Sequence, residues 1–190
     1  MKRICVYCGS SSGSRSEYQD TAAYLGQCLA EKGIGIAYGG AEVGLMGAVA
    51  SSALNRGGEV IGVIPELFAD KVKHNQLSQL HIVPTMHARK KKMFDLSDGF
   101  IALPGGIGTI EEVFEILTWA QLGYHEKPCG ILNVCGYFDN LIEFLEHTVS
   151  QRFLKRSHRE MIMFDDHPEG LLRQFESYQA PAEPKWFRAN

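Results

Sequence analysis

The regular alternation of strand-like and helix-like segments is the feature that most constrains the fold of this chain. Apolar runs typical of strands cover 3–8, 34–39, 59–65, 80–84, 99–104 and 129–134, with a weaker run at 161–164. Segments of helical length and period lie between them, at about 16–32, 44–57, 86–97, 109–123, 138–151 and 168–178. Strands that alternate with helices predict βαβ units, and uninterrupted apolar strands indicate parallel strands buried on both faces. We therefore predict an α/β fold: a Rossmann-like, doubly wound parallel sheet with helices on both faces.

Length and composition favour one ordinary domain. With 190 residues the chain can bury a substantial core, and we assign 1–180 to a single domain and 181–190 to a C-terminal tail. The formal net charge of −3 gives no electrostatic reason to expect nucleic acid or an anionic membrane as a partner. No apolar run approaches the ~20 residues of a membrane span, and the N-terminal apolar run is too short for a signal peptide. We expect a cytoplasmic protein that binds neither nucleic acid nor membrane.

The five cysteines are expected to be free thiols, because their number is odd and the chain shows no export signal. They are Cys5, Cys8, Cys28, Cys129 and Cys135. Cys5 and Cys8 form a CxxC pair, but they lie in an extended apolar run, where residues three apart point to opposite faces. A redox CxxC instead works at a helix N-terminus, and no second Cys/His pair has a spacing that would complete a zinc site. We interpret both as core thiols and expect no metal.

Glycine-rich loops follow three of the predicted strands, at 9–13, 39–44 and 105–109. The carboxyl ends of the strands in a doubly wound sheet open on one edge, where ligands bind, so the three loops together predict a nucleotide-sized ligand. The third loop leads into a helix start at Thr109, where free backbone N–H groups can bind phosphate. Because this loop matches neither GxxxxGK(S/T) nor GxGxxG, we expect a small phosphate ligand rather than a nucleoside triphosphate or a dinucleotide.

Two glutamates follow this loop, and the helical period separates them. The apolar stripe of the helix is predicted to contain Ile110, Val113, Ile116, Leu117 and Ala120. Glu111 lies on the solvent side with Glu115, where complementing the helix dipole explains it sufficiently. Glu112 lies on the flank of the stripe and points towards the protein. Two interpretations of Glu112 stay open: dipole complementation, or stabilisation of positive charge that develops on a sugar next to a bound phosphate.

A run of four cations, 89–92, precedes the loop. The buried stripe of its helix is predicted to contain Met86, Met93, Phe94 and Leu96. Arg89 and Lys90 fall within that stripe, whereas Lys91 points away from it. A buried guanidinium needs an anion nearby, which a bound phosphate or Glu112 would provide. Arg89 is therefore the leading candidate cation and Lys90 the second.

Other reactive side chains show no catalytic pattern. The histidines have no HExxH spacing, and there is no GxSxG nucleophile motif. His74, His81 and His87 lie near the segment that carries Arg89 and could contact a ligand. Lone histidines of this kind are more often ordinary surface or core residues.

Together these residues resemble the signature of the Lonely Guy family. Residues 104–112 read PGGIGTIEE and are similar to the family's PGGxGTxxE motif, and residues 86–90 read MHARK and are similar to its upstream arginine–lysine element. The loops at 8–13 and 38–47 resemble its first two loops, so that the resemblance spans residues 3 to about 175. It implies a Rossmann-type homodimer without a cofactor that hydrolyses the N-glycosidic bond of nucleoside 5′-monophosphates, giving free base and ribose 5-phosphate. Cytokinin riboside monophosphates are the family's named substrates, and several bacterial-type members also accept AMP.

The resemblance implies catalytic roles for Arg89 and Glu112. It also places Lys90, the run 106–111 and Thr118 along the ligand, with a partner chain completing each site. The full set of predicted substrate-binding residues is Ser10, Gly40, Met86, Lys90, Gly105, Gly106, Ile107, Gly108, Thr109, Ile110, Glu111 and Thr118. Lys71 stands near where many relatives carry a glutamate, which leaves the preferred base open.

A mechanism follows from these assignments as a hypothesis. The loop binds the 5′-phosphate, and Glu112 lies beside the ribose, where its carboxylate stabilises an oxocarbenium-like sugar and can activate the attacking water. Arg89 positions Glu112 and the anionic groups of the ligand.

Three other functions compete with hydrolysis as interpretations of the sequence. A nucleotide carrier or sensor could use the same fold and phosphate loop without cleavage, although Arg89 and Glu112 favour an enzyme. Many family members carry an old label as lysine decarboxylases, but that reaction needs pyridoxal phosphate on a lysine. The only lysines near the glycine-rich edge lie in the segment that carries Arg89. A nucleic-acid-binding module is disfavoured, because no interleaving of aromatic and basic residues accompanies the acidic net charge.

Overall fold

The computed structural model describes residues 1–69 and 77–181, and within them seven strands form one parallel sheet. The strands are β1 (Arg3–Tyr7), β2 (Gly35–Tyr38), β3 (Val60–Pro65), β4 (Gln79–Val83), β5 (Gly99–Ala102), β6 (Cys129–Leu132) and β7 (Ile162–Asp165). Their order across the sheet is β4-β3-β2-β1-β5-β6-β7, and every neighbouring pair is parallel. The predicted strands are confirmed, with bounds that agree within two residues.

Five long helices connect the strands and a sixth follows β7, as the periodicity predicts. They are α1 (Ser16–Glu31), α2 (Gly44–Asn55), α4 (Met86–Leu96), α5 (Ile107–Leu122), α6 (Asp139–Ser150) and α8 (Pro168–Ser177). The described residues also contain two one-turn helices, α3 (Glu66–Ala69) and α7 (Arg156–Arg159), and a 3₁₀ turn at Val134–Gly136 that the sequence did not predict. Local caps define the ends of two of these helices. The Thr85 hydroxyl accepts the Ala88 N–H at 3.0 Å at the start of α4. The C-terminus of α5 is capped by Gly123 in the left-handed conformation.

The helices cover both faces of the sheet, which confirms the doubly wound architecture. One core cluster packs α1, α2 and α8 against the sheet, and the other packs α4, α5 and α6 against its opposite face. Cys5 belongs to the second cluster and Cys8 to the first, so the two thiols point to opposite faces as predicted. All five cysteines are free, and only Cys135 is exposed.

Strand β4 departs from the expectation of strands buried on both faces. Leu80 and Ile82 are exposed, because β4 is the outermost strand and pairs only with β3 among the described residues. Lys71 and His74 lie outside the described residues, and so does most of the predicted tail, so the domain boundary at residue 180 stays a prediction. Across the part of the chain that the structure describes, no helix is long and apolar enough to cross a membrane.

The point where the strand order reverses lies between β1 and β5. The loops that follow these two strands meet there: the Gly9 N–H donates to the Pro104 carbonyl at 3.0 Å, and the Leu45 N–H at the start of α2 donates to the Gly9 carbonyl at 3.1 Å. The approach is close enough that a Cβ on Gly9 would lie 3.3 Å from the Cα of Gly105. In open α/β sheets this crevice is where ligands bind.

Candidate functional site

A cavity of about 510 Å³ opens at this crevice. The loops after β1, β2, β3 and β5 and the first turns of α4 and α5 form its walls. Of the predicted site residues, the ones that line it are Ser10, Met86, Arg89, Gly106, Gly108, Thr109, Glu111 and Glu112. Gly105 lines a smaller neighbouring cavity of about 280 Å³, which shares Gly9, Ser10 and Gly106 with the larger one. The volume of the larger cavity is in the range of small-molecule sites.

A buried ion pair lies in the wall of the larger cavity. The Arg89 Nη1 atom on α4 donates to the Glu112 Oε1 atom on α5, and the Arg89 Nε atom donates to the Val63 carbonyl at the end of β3 at 3.2 Å. Only 7% of Arg89 and 8% of Glu112 is exposed. A glycine is required opposite the guanidinium, since a Cβ on Gly39 would lie 2.5 Å from Arg89 Nη2. Strand β3, the loop after β2 and two helices thus fix the position of one cation and one carboxylate.

The environment of Glu112 raises the pKa of its carboxyl group above the usual glutamate range. Burial is the largest cause, because it disfavours the charged form. The charge of Arg89 and its hydrogen bond act in the opposite direction and lower the pKa, and the nearby Glu111 raises it further. A carboxylate whose pKa is set by burial and one charged partner next to a cavity is a candidate for catalysis.

The N-terminus of α5 forms the floor of the site. Gly106 occupies the N-cap in an extended conformation, and its carbonyl accepts the Ile110 N–H at 3.1 Å. The N–H groups of the first three residues, Ile107 to Thr109, have no carbonyl within the helix to bond, so they and the helix dipole favour an anion at this point. The buried Thr109 packs against Gly105, where a Cβ would collide with its hydroxyl.

Lys90 and Glu111 form a separate group of charges on the outer side of the site. The Lys90 Nζ atom lies 2.5 Å from Glu111 Oε1 and 3.0 Å from Glu115 Oε1, so it joins α4 to α5. Lys90 was expected in the buried stripe of α4, and its side chain is only 12% exposed, with its ammonium group reaching across to two carboxylates of α5. Glu111 is exposed, as predicted. Lys91 is also exposed, as predicted.

Two predicted core positions are wrong. Met86 is 46% exposed and Ile110 is 38% exposed. Each lies in the first turn of its helix, beside the cavity at the strand ends, where core packing stops. The remaining members of the α5 stripe, Val113, Ile116, Leu117 and Ala120, are buried as predicted.

The other predicted site residues lie outside the cavity wall formed by the described residues. Gly40 has a φ of 80° and packs behind the wall against Ile64. Ile107 is exposed at the first position of α5. Thr118 is exposed on the same helix, and its hydroxyl donates to the Phe114 carbonyl at 2.7 Å. His81 and His87 are likewise absent from the wall.

Several wall residues were missed by the sequence reasoning. An apolar side of the cavity contains Val43, Met46, Ile64, Pro65, Phe68 and Met86, of which only Met86 was predicted. Val43 belongs to the second glycine-rich loop and Met46 to the first turn of α2 that follows it, so both could have been included on that ground. Phe68 lies in the unpredicted helix α3, and nothing in its local pattern distinguished it. Within the described residues, no group of three or more His, Cys, Asp or Glu side chains could coordinate a metal ion.

Comparisons with known proteins bear on both the family and the fold. Residues 46–175 match the model of a family described as "Possible lysine decarboxylase". A probable cytokinin riboside 5′-monophosphate phosphoribohydrolase of Oryza sativa subsp. japonica is 46% identical over 178 residues, which cover 93% of this chain and 71% of that protein. A cytokinin riboside 5′-monophosphate phosphoribohydrolase of Arabidopsis thaliana is 45% identical over 179 residues, covering 94% and 82%.

Among solved structures, the molybdenum cofactor binding protein of the phototrophic bacterium Rippkaea orientalis has a similar fold. The TM-score is 0.69, the alignment covers 93% of this chain and 97% of that one, and the sequences are 22% identical. At that identity the similarity concerns the fold alone.

Proposed function

This chain belongs to the Lonely Guy family, and on that premise we propose that it hydrolyses the N-glycosidic bond of adenine-type nucleoside 5′-monophosphates. The substrates are cytokinin riboside 5′-monophosphates, which the names of its relatives give, and AMP. The products are the free base and ribose 5-phosphate. The observation that carries the proposal is the Arg89–Glu112 pair, buried in the cavity wall with Glu112 in the second turn of α5.

The 5′-phosphate binds at the N-terminus of α5. The free N–H groups of the first turn point at it, and the helix dipole favours its negative charge without a lysine contact. Gly106, Gly108 and Thr109 supply this part of the wall. The apolar side of the cavity, with Val43 and Phe68 among its residues, receives the base.

Glu112 supplies the catalytic carboxylate. As the bond from C1′ of the ribose to the base nitrogen breaks, its electron pair passes to the base and positive charge develops on the sugar. The Glu112 carboxylate stabilises that charge. A water molecule then adds its oxygen to C1′, and its proton passes, through Glu112, to the departing base. The positive charge of Arg89 keeps the Glu112 carboxylate ionised. Arg89 also fixes its position, because the guanidinium is itself bonded to the Val63 carbonyl.

We extend the proposal to the assembly and location of the enzyme. A homodimer that packs the α5 helices together would cover the exposed Ile107 and bring Thr118 towards the partner's site. The free thiols are compatible with the reducing cytoplasm. Sedimentation at micromolar concentration tests the first point, and a monomer there would contradict it.

The alternative of decarboxylation is disfavoured by the position of the lysines. No lysine is among the described residues that line the cavity. The nearest one in sequence to Arg89 is Lys90, whose amine is engaged by Glu111 and Glu115. A Schiff base with pyridoxal phosphate would need a free amine inside the site.

The testing experiment measures base release from AMP, isopentenyladenosine 5′-monophosphate, GMP, CMP and adenosine. We expect release of adenine-type bases only from the phosphorylated substrates. Glu112→Ala should lower kcat by about 10²–10³-fold or more, because it removes a charge that acts in the transition state. Glu115→Gln, a change of one carboxylate outside the cavity on the same helix, is the matched control. Nucleotide binding without release in the parent protein would mean a carrier or sensor instead.

A further inference from the structure

The turn after β6 brings a tyrosine to the phosphate loop. Beyond Leu132 the chain makes the 3₁₀ turn Val134–Gly136, and the next residue, Tyr137, donates its hydroxyl to the Gly105 carbonyl at 2.7 Å. The two residues are 32 positions apart in the chain. No local sequence pattern predicts this contact, although the turn lies at the same edge of the sheet as the three glycine-rich loops.

The turn that carries Tyr137 is closed by its own hydrogen bonds. The Asn133 Oδ1 atom accepts the Phe138 N–H, and its Nδ2 atom donates to Asp139 Oδ1, both at 2.7 Å. Cys135, with a φ of 52°, and Gly136, with a φ of 70°, adopt left-handed conformations inside the turn. A non-glycine residue keeps such a conformation only where the surroundings determine it, so the backbone that leads to Tyr137 is well fixed.

The ring of Tyr137 is positioned from two sides. It packs edge-on against Phe138, with ring centroids 4.8 Å apart, and against the buried Tyr18, with centroids 5.7 Å apart. Both arrangements are the preferred edge-to-face geometry of aromatic pairs. The direction of the hydroxyl is thus set by packing as well as by its bond to Gly105.

One peptide group in the loop after β5 depends on Tyr137 for its orientation, because backbone hydrogen bonds hold only its two neighbours. The Pro104 carbonyl accepts from the Gly9 N–H, and the Gly106 carbonyl accepts from the Ile110 N–H. These bonds fix the peptides before and after the one that joins Gly105 to Gly106. The carbonyl of that middle peptide is the atom to which Tyr137 donates. With glycine on both sides, no Cβ opposes its rotation.

We propose that Tyr137 is a positioning residue that keeps the Gly105–Gly106 peptide from flipping, so that the Gly106 N–H faces the substrate phosphate. The carbonyl and the N–H of a trans peptide point in opposite directions, and the chain has no cis peptide among its described residues. The carbonyl points to Tyr137 in the smaller cavity, and the N–H therefore points away from it, towards the larger cavity that Gly106 also lines. This inference rests on the proposed function, which places the phosphate at the α5 N-terminus.

The variant Tyr137→Phe tests the proposal, since it keeps the ring between Tyr18 and Phe138 and removes only the donor. We expect the KM for a nucleoside monophosphate and the Kd values for inorganic phosphate and ribose 5-phosphate to rise together, roughly two- to tenfold, the range for one lost hydrogen bond. We expect kcat and the binding of adenosine, which has no phosphate, to stay at the parent values. Tyr124→Phe, which removes an exposed hydroxyl just beyond the C-terminus of α5, should match the parent throughout.

Two results would overturn the inference. One is an unchanged affinity of Tyr137→Phe for phosphate and ribose 5-phosphate. The other is an equal loss for adenosine and for the nucleotide, which would indicate a general structural defect. Calorimetric binding of phosphate and ribose 5-phosphate needs no turnover. A parent protein that binds phosphate but releases no base would therefore contradict the proposed hydrolysis. The comparison of Tyr137→Phe with Tyr124→Phe would still decide the role of Tyr137.

Discussion

Two groups of charged side chains join α4 to α5, and they differ mainly in their access to water. Arg89 and Glu112 pair inside the cavity wall, and the side chain of each is 9% exposed. Lys90, the next residue in the chain, pairs with Glu111, the residue before Glu112, at a surface where the Glu111 side chain is 52% exposed. One step along each helix, about 100° of rotation, therefore separates a pair with two buried side chains from a pair whose lysine side chain is 12% exposed but whose carboxylate is largely open to water.

Burial, more than charge, distinguishes the pair that we propose to be catalytic. An exposed pair contributes little to stability, since water and salt screen it. A buried pair must offset a large desolvation cost, so it is weak evidence for stability. The Arg89–Glu112 pair occupies its position next to a cavity and a helix N-terminus, where a desolvated carboxylate can act on a ligand. Glu111 also lines the cavity, but its side chain is exposed to water, and Lys90 is not among the described residues of the cavity wall.

The largest expected effect is the loss of stability when the buried pair is broken. Arg89→Ala leaves the Glu112 carboxylate buried without its cation, and we expect the free energy of unfolding at pH 7 to fall by about 3–5 kcal/mol. The double variant Arg89→Ala/Glu112→Ala should recover part of that loss, because it leaves no unpaired charge. Both variants should lack turnover. Urea unfolding followed by circular dichroism measures the first effect, and base release measures the second.

A pH series provides the control for this interpretation. Without Arg89 the folded-state pKa of Glu112 rises further, while its unfolded-state pKa stays ordinary. A group with a raised folded-state pKa destabilises the fold as pH rises from the unfolded to the folded pKa. The stability deficit of Arg89→Ala should therefore shrink as the pH is lowered towards 4. A deficit that is independent of pH would point to lost packing of the arginine side chain instead.

The acid limb of the activity profile is the next effect in size. The proposed mechanism needs ionised Glu112. Burial raises the pKa of this carboxyl group, while Arg89 lowers it. Activity should be present above that raised pKa and fall about tenfold per pH unit below it, with a midpoint above the ~4.3 of an ordinary glutamate. The measurement is kcat/KM against pH. A midpoint at or below the ordinary value would contradict the assignment of Glu112.

The substrate phosphate also titrates, with a second pKa near ~6, so its contribution must be measured separately. The Kd of the nucleotide for Glu112→Ala, followed across the same pH range, reports the phosphate without the carboxylate. Glu115→Gln, in contrast, should keep the acid limb of the parent, since Glu115 lies with Lys90 on the outer side.

Much of the fold was predictable because its signals are local. Apolar runs and helical periods located every predicted strand and helix within two residues. The same period placed Arg89 on the inner side of α4 and Glu112 on the inner flank of α5, and the structure joins the two. Both were identifiable because a charged residue on an apolar stripe contradicts the pattern around it.

The rest depended on contacts between distant parts of the chain. Burial of Met86 and Ile110 was predicted from periodicity alone, which does not reveal that the core ends beside a cavity. The exposure of β4 depends on the strand order, and sequence spacing does not specify which strand lies at the edge. Tyr137 reaches Gly105 only because β5 and β6 are neighbours in the sheet, a relation that no local motif records.

The smallest expected effect concerns the solvated pair. A double-mutant cycle with Lys90→Ala and Glu111→Ala should give a coupling energy below about 1 kcal/mol, and this coupling should weaken further in 1 M salt, where the screening length is about 3 Å. The resemblance to the family also predicts that Lys90 contacts the substrate. The KM of Glu111→Ala with and without Lys90 tests that point, since removal of Glu111 frees the amine from one partner. A coupling above about 2 kcal/mol that salt leaves unchanged would mean that the outer pair is desolvated in the working enzyme. The two pairs would then no longer differ in their access to water, and the physical reason would be a partner chain that covers α5.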